Sequence, residues 1–290
     1  VADAESLAVR IDQAILVDEV GIETGRYGPY FVKTMYQPVF RNTEGELVPC
    51  GVEGLAGPHK DGRPVSTRAF FADVTAADDT LFVENLCHTL HLRNYPNIGA
   101  DGLMVFIKHY ASADFGLQTA LDQVDGMMRF LDEIAVDPAL VVCEIAETAD
   151  EGLMMDIAAE LRRNRIRVAV DDFGVGRSTL TRVRLLDPEV VKIDGGWFRR
   201  IAKVAVATRL LTSLVDALRR EGRLVLIQGI ETPAQLRVAI ETGADLMQGY
   251  LLGQPKIAGS LFEAERMDVR NLLAPEDRVV PLFARNDRSR

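Results

Sequence analysis

Two periods of apolar recurrence run along this chain, and the switch between them sets out its elements. Ala4 to Val20 carries a helical period and predicts an opening helix. The turn-rich stretch Gly21 to Gly28 leads into Val32 to Phe40, where alternation and β-branched and aromatic residues predict a strand. Val48 to Leu55 follows the polar turn Asn42-Thr43-Glu44-Gly45, and so short a connection predicts an antiparallel hairpin. Beyond it, short apolar runs alternate with amphipathic stretches. The runs are Leu103–Lys108, Leu140–Ile145, Val168–Asp172, Val190–Asp194, Leu224–Gly229 and Leu246–Tyr250. The helical stretches lie around Asp114–Ile134, Glu151–Asn164, Ser178–Leu186, Trp197–Glu221 and Pro233–Thr242. Strands alternating with helices imply parallel strands covered by helices, and eight strands in this length suit a closed (β/α) barrel of the TIM-like α/β class.

No Pro/Ser-rich linker interrupts the series. The expected organisation is a helical lead over residues 1–31, one barrel over 32–257, and a C-terminal helix and tail over 258–290. The chain begins with Val1 and shows no charged-then-apolar leader, so removal of upstream sequence is an expectation that leaves an upstream regulatory domain or anchor open.

With 48% hydrophobic and 26% charged residues the 290-residue chain can fill a large core, which excludes global disorder. Its formal charge of -10 disfavours nucleic acid polymers as partners, although a local basic pocket can still hold a small anion. No run of about 18 uncharged apolar residues occurs, so no membrane span is expected. Cys50, Cys87 and Cys143 are odd in number and set among apolar neighbours, which predicts buried thiols in a reducing, cytoplasmic compartment.

In a barrel of this kind, chemistry is expected where the strands end at their C-terminal face. Those ends are polar: Glu53, Lys108, Glu144, Asp171 with Asp172, Lys192 with Asp194, Gln228 and Gln248 each close or nearly close a run. Carboxylates brought together from several strands repel one another unless cations or lysines offset them. Oxygen ligands in this number suit Mg²⁺, Mn²⁺ or Ca²⁺, and paired ions of this kind activate water for phosphoryl chemistry. Any one of these acids is more simply a solvated loop residue; the series is not.

The motifs themselves, in order, are Gln37-Pro38-Val39, Val52-Glu53-Gly54-Leu55, Glu144-Ile145-Ala146-Glu147-Thr148, Val170-Asp171-Asp172-Phe173-Gly174-Val175-Gly176, Val191-Lys192-Ile193-Asp194, Gly229-Ile230-Glu231-Thr232 and Gln248-Gly249-Tyr250-Leu251. From Val32 to Pro255 the chain resembles the EAL domain family of cyclic di-GMP phosphodiesterases. The resemblance implies a barrel whose first strand runs antiparallel and whose C-terminal face binds cyclic di-GMP. In active members two divalent metals activate water to cut one phosphodiester. By position, Glu53 matches the signature glutamate, Glu144 and Asp171 match metal ligands, and Asp172 matches a ligand near the second metal. Lys192 matches the lysine near the attacking water. Gln37, Leu55, Asp194, Gln248, Tyr250 and Pro255 fall at positions lining the nucleotide groove. Glu147, which steadies the loop after the paired aspartates, and Glu231 match loop-stabilising glutamates.

Three departures from the family pattern stand out. Lys108 replaces an asparagine that ligates metal, Gln228 replaces a glutamate, and Gly57 stands where an arginine contacts the ligand. The first change adds one positive unit and the second removes one negative unit, together the charge of one divalent cation. A protonated lysine donates three hydrogen bonds and accepts none, so Lys108 can pair with Glu53, Glu144 or Asp171 but cannot ligate a metal. An ammonium and a metal near 4 Å repel by several kcal/mol even at an effective dielectric constant of about 20. Lys108 is therefore expected to displace a metal, leaving Glu53, Lys192 and Asp172 as remnants of the catalytic set.

The resulting expectation is a degenerate EAL-type domain: a non-catalytic cyclic di-GMP receptor or a signalling and interaction module, without a metal cofactor. A receptor would pair Lys108 with Glu53 or Glu144. The alternatives are an active phosphodiesterase, with Mg or Mn at Glu144 and Asp171 and linear pGpG as product, or a scaffold that binds no nucleotide. Without the arginine at position 57, nucleotide affinity is expected to be weak.

Other motifs reduce to chance or packing. Asp172-Phe173-Gly174 lacks the rest of the kinase set, and Gly174-Val175-Gly176 lacks the third glycine and the Lys-Ser/Thr ending of phosphate loops. Cys87, His88 and His91 have one-turn helical spacing but no fourth zinc ligand nearby, which favours ordinary helix-face histidines. His109 follows Lys108 and could reach the same mouth. The Arg162-Arg163-Asn164-Arg165 and Arg199-Arg200 stretches read as solvated helix ends, and Met127-Met128 and Met154-Met155 as core filler. Apolar parts of Trp197–Leu218 and Ala258–Leu273 are candidates for pairing two copies of the chain, an expectation that rests on the resemblance.

Overall fold

A computed structural model describes residues 7–100, 102–109, 116–145, 151–176, 180–260 and 265–274. Eight strands close into a barrel: β1 (Tyr30–Thr43), β2 (Glu46–Lys60), β3 (Met104–His109), β4 (Val141–Ile145), β5 (Arg167–Phe173), β6 (Val190–Ile193), β7 (Leu224–Ile227) and β8 (Leu246–Met247). Strands β2 to β8 run parallel to one another in sequence order. Strand β1 is antiparallel to both its neighbours, β2 and β8, and seals the ring. The fold is thus a TIM-like barrel with an antiparallel first strand.

The alternation of each strand explains both halves of its packing. Outward residues such as Val105, Ile107, Cys143, Val168, Val170 and Val191 join one large cluster with the surrounding helices. Inward residues Val39, Phe106, Val142, Ala169, Val190, Leu226 and Leu246 fill the barrel as a separate apolar layer. Parallel strands covered on both faces read as near-continuous apolar runs, which is what the sequence displays.

Helices follow β2 (Ala77–Arg93), β3 (Gly116–Glu133), β4 (Glu151–Arg163), β5 (Leu180–Leu186) and β7 (Pro233–Glu241). The last opens with a capping box, Thr232 accepting from the Gln235 amide while the Gln235 side chain answers to Thr232. Trp197–Glu221, expected as one helix, is two: Gly195–Ile201, capped by Asp194, and Ala205–Arg220. The expected opening helix is also shorter. Leu7–Ala14 is helical, but Ile15–Val17, with β-branched residues at both ends, forms a strand pairing with Glu23–Tyr27, inside the stretch expected to be turn. Glu23–Tyr27 in turn extends β1 along its outer edge. The last expected run, Leu246–Tyr250, stops as a strand at Met247, because Gly249 turns the chain hard against the backbone of Ile230; a Cβ there would lie 2.1 Å from the Ile230 oxygen. A short C-terminal helix spans Val269–Leu273. No helix among the described residues is long and apolar enough to cross a membrane.

Candidate functional site

Above the apolar layer, the inward position two residues on is polar in strand after strand. Phe106 is followed by Lys108, Val142 by Glu144, Ala169 by Asp171, Val190 by Lys192, Leu226 by Gln228 and Leu246 by Gln248. On the antiparallel pair the same level is reached by Gln37 and Glu53, which face each other in register. A period of two thus lifts one polar side chain per strand to the C-terminal mouth.

Lys192 stands at the centre, with its side chain only 1% exposed. Its Nζ hydrogen-bonds Glu53 Oε1 at 3.0 Å and Glu144 Oε1, and lies 3.3 Å from Asp171 Oδ1. Burial pulls the lysine pKa down, but Asp171, Glu144 and Glu53 together hold it well above the ordinary value. A second ammonium closes the group from above: Lys108 Nζ lies 3.0 Å from Asp171 Oδ2, with its side chain 38% exposed. Its pKa is likewise raised, burial being outweighed by the same three acids. Lys108 therefore pairs with Asp171, and not with Glu53 or Glu144 as a receptor was expected to show; one oxygen of each of those two acids faces the buried Lys192 instead.

The acids respond differently. Burial pushes Glu144 up to about 8, against the pull of Lys192. Asp171 is held well below the usual carboxylate range, since Lys192 and Lys108 together outweigh its burial. Glu144 Oε2 is buried without a hydrogen-bond partner among the described residues.

A line of amides continues the network to the far wall. Gln248 Nε2 donates to Glu53 Oε2 at 2.8 Å, and Gln228 Nε2 donates to Gln248 Oε1 at 3.3 Å. Gln37 turns to the rim instead, donating to the Gly253 carbonyl at 3.1 Å. The register of β5 against β6 shifts between Val170 and Phe173, and this bulge separates the paired aspartates. Asp171 points into the network, whereas Asp172, at φ 52°, stays exposed at the mouth with its pKa raised by burial and by Asp171.

The remaining predicted site residues lie on the rim. Asp194 caps the helix Gly195–Ile201, its Oδ1 accepting from Trp197 N at 2.6 Å. Glu231 pairs with Arg199 at 2.9 Å. Tyr250 is exposed, and Leu55 and Pro255 are half-buried. Glu147 lies outside the described residues.

The structure adds a group that sequence reasoning missed. Behind Glu53, a Cβ on Gly54 would meet the His91 ring at 2.8 Å. His91 Nδ1 lies 3.2 Å from Thr34 Oγ1, the Tyr36 hydroxyl donates to the His91 carbonyl, and Asn94 Nδ2 donates to Thr34 Oγ1 at 3.3 Å. Asn94 also clamps the backbone of Glu23 in both directions, at 2.8 and 2.9 Å. The glycine in Glu53-Gly54-Leu55 was the available signal. Cys87 packs into the apolar cluster beneath this helix, and among the described residues no three His, Cys, Asp or Glu side chains are placed to hold a metal.

Comparison with known proteins bears on the fold and the family. Over 245 residues the chain is 26% identical to the cyclic di-GMP phosphodiesterase RocR of Pseudomonas aeruginosa, covering 81% of this chain and 59% of that one. Over 236 residues it is 25% identical to the cyclic di-GMP phosphodiesterase NbdA of the same organism, covering 79% and 29%. Against other curated relatives the match spans 18% to 29% of their lengths. The Bacillus subtilis YkuI protein, solved with substrate cyclic di-GMP and calcium, superposes with a TM-score of 0.67 at 25% identity, covering 78% of this chain and 56% of that one. The solved MucR phosphodiesterase in complex with cyclic di-GMP shares the fold, with a TM-score of 0.65 at 21% identity, covering 77% and 91%. The family model described as the EAL domain matches residues 31–255, from the start of β1 through the rim beyond β8 that carries Pro255, and the chain belongs to the EAL domain family.

Proposed function

We propose that this domain is a degenerate EAL barrel that has lost two-metal phosphodiesterase chemistry and acts as a cyclic di-GMP receptor or a signalling module. The observation that carries this reading is the contact of Lys108 with Asp171 at 3.0 Å. Together with Lys192, it sets an ammonium within 3.3 Å of one oxygen of each of Glu53, Glu144 and Asp171. The divalent metals that the family implies do not fit these residues. A metal at Asp171 would meet a like charge, and a lysine raised in pKa by its acidic neighbours stays protonated. Gln228 supplies an amide where a further negative charge would help hold an ion.

The nucleotide reading is supported by the retained rim and by cyclic di-GMP being the named substrate or ligand of relatives. Gln37, Leu55, Gln248, Tyr250 and Pro255 surround the mouth, and the purine and phosphate contacts they offer need no metal. A second reading, a live enzyme using Mg or Mn, is favoured by Glu144 Oε2, a buried oxygen with no hydrogen-bond partner among the described residues. The exposed Val204, Val206 and Leu210 near and along the helix Ala205–Arg220 are the surface by which we would expect two copies or a protein partner to pair.

Calorimetric titration of cyclic di-GMP, with EDTA or with Mn²⁺, followed by chromatography of the nucleotide, tests the proposal. Metal-independent binding of intact ligand is the expected result. Conversion to pGpG overturns it in favour of the enzyme, and absence of both heat and product leaves a scaffold. Lys108→Asn with Gln228→Glu is expected to restore Mn²⁺ binding only in combination, read by calorimetry with the metal alone.

A further inference from the structure

The two ammonium groups of the site are not equivalent, and the difference assigns one of them a task. Lys192 is enclosed by three carboxylate oxygens within 3.3 Å and is buried, so no N–H remains for a ligand. Lys108 carries three N–H groups and has one partner within hydrogen-bond reach among the described residues, Asp171. Its 38% exposed side chain sits at the C-terminal end of β3, facing the mouth. An anion entering the mouth therefore meets, at the end of β3, an ammonium that has donors beyond its contact with Asp171.

Building on the receptor reading above, we infer that Lys108 donates directly to a phosphodiester oxygen of bound cyclic di-GMP, so that one lysine both closes the metal site and makes anion binding independent of metal. Asp171 holds the ammonium charged and aimed, and the remaining N–H groups form the charge-assisted contact. Gly57 offers no cation to the ligand, whereas Lys108, among the described residues, is an ammonium at the mouth with donors to spare.

The experiment is calorimetric titration of cyclic di-GMP in EDTA with wild type, Lys108→Gln, Lys108→Met and Lys108→Arg, each checked for folding by circular dichroism. Lys108→Gln keeps an N–H for Asp171 while removing the charge, and so tests the contact even if Lys108→Met fails to fold. The expected result is a loss of about ten- to a hundredfold in affinity for the glutamine and methionine variants, with arginine retaining most of the binding. The wild-type affinity is also expected to fall with added salt more steeply than that of Lys108→Gln. Binding by Lys108→Gln at wild-type strength and wild-type salt dependence overturns the inference and leaves the receptor reading standing. No binding by wild type in EDTA overturns the receptor reading itself.

Discussion

Two buried polar groups lie on opposite faces of β2, one residue apart in sequence. On the inner face Glu53 meets Lys192 and Gln248, within a group built of charges. On the outer face, at Gly54, the His91 ring, Thr34, Tyr36 and Asn94 form a group built of neutral hydrogen bonds. Both are nearly sealed from water. The outer one satisfies itself and ties distant segments together, as Asn94 does to Glu23. The inner one is satisfied only by matching ammoniums to acids, and one of those ammoniums still reaches the mouth. Buried neutral networks specify a fold, whereas buried charges that open on a cleft mark chemistry or binding.

The largest effect should come from removing the charge at the centre. Lys192→Met leaves Glu53, Glu144 and Asp171 facing one another with Lys108 as the remaining cation. Breaking a buried ion pair by deleting one partner costs about 3–5 kcal/mol. Urea unfolding of the variant should display that loss at pH 7, and a loss under about 1 kcal/mol would mean that the acids simply take up protons. On the neutral side, Gly54→Ala places a methyl 2.8 Å from the His91 ring and 2.9 Å from its Cβ, so the helix Ala77–Arg93 must shift. Overpacking of this kind costs about 1–3 kcal/mol. Pairing it with His91→Ala should recover part of the loss; no recovery would place the strain elsewhere.

The same comparison shows what a sequence displays and what it conceals. The inner group was legible because a period of two forces Lys108, Glu144, Asp171, Lys192, Gln228 and Gln248 to one level once the strands are placed. The partner of Lys108 was not legible. It depends on the bulge between Val170 and Phe173, which turns Asp171 in and Asp172 out, and on Lys192 reaching Glu53 and Glu144 from the opposite side of the ring of strands. The outer group was nearly invisible, since the Asn94 contact with Glu23 joins residues 71 apart with no local pattern. Helical periodicity likewise ran on through two breaks, at Ile15–Val17 and between Ile201 and Ala205, where no glycine or proline announces the stop.

pH should separate the two groups by sign. Burial lowers His91 to about 3 from 6.5, so the fold prefers its neutral form; stability is full above pH 6.5 and is lost as pH falls toward 3. Glu144 is raised to about 8 from 4.5, so the fold prefers its protonated form. That contribution is full below pH 4.5 and is lost as pH rises through 8. Each slope is at most about 1.4 kcal/mol per pH unit. Unfolding free energies of wild type minus His91→Leu should therefore fall on acidification from pH 6.5 to 5. Those of wild type minus Glu144→Gln should fall on raising the pH from 6 to 8. Parallel slopes in the two series would erase the distinction between the groups.

The smallest effect concerns the amide at the edge of the inner group. Gln248 offers one donor side and one acceptor side; its Nε2 serves Glu53, so its Oε1 must face a donor, which Gln228 provides. An ionised carboxylate at position 228 has no N–H to give. Gln248 then either faces it with Oε1 or turns over and presents Oε1 to Glu53, and in both orientations two acceptors meet. Gln228→Glu should cost about 1 kcal/mol at pH 8, where the new side chain is charged. At pH 5 it takes up a proton more readily than an exposed glutamate, donates as the amide did, and the loss should shrink. Gln228→Met removes one half-buried contact of 3.3 Å without adding an acceptor, and its smaller loss should not change between these pH values. Identical losses for the two variants at pH 8 would mean that Gln228 fills space and does not set the direction in which Gln248 points.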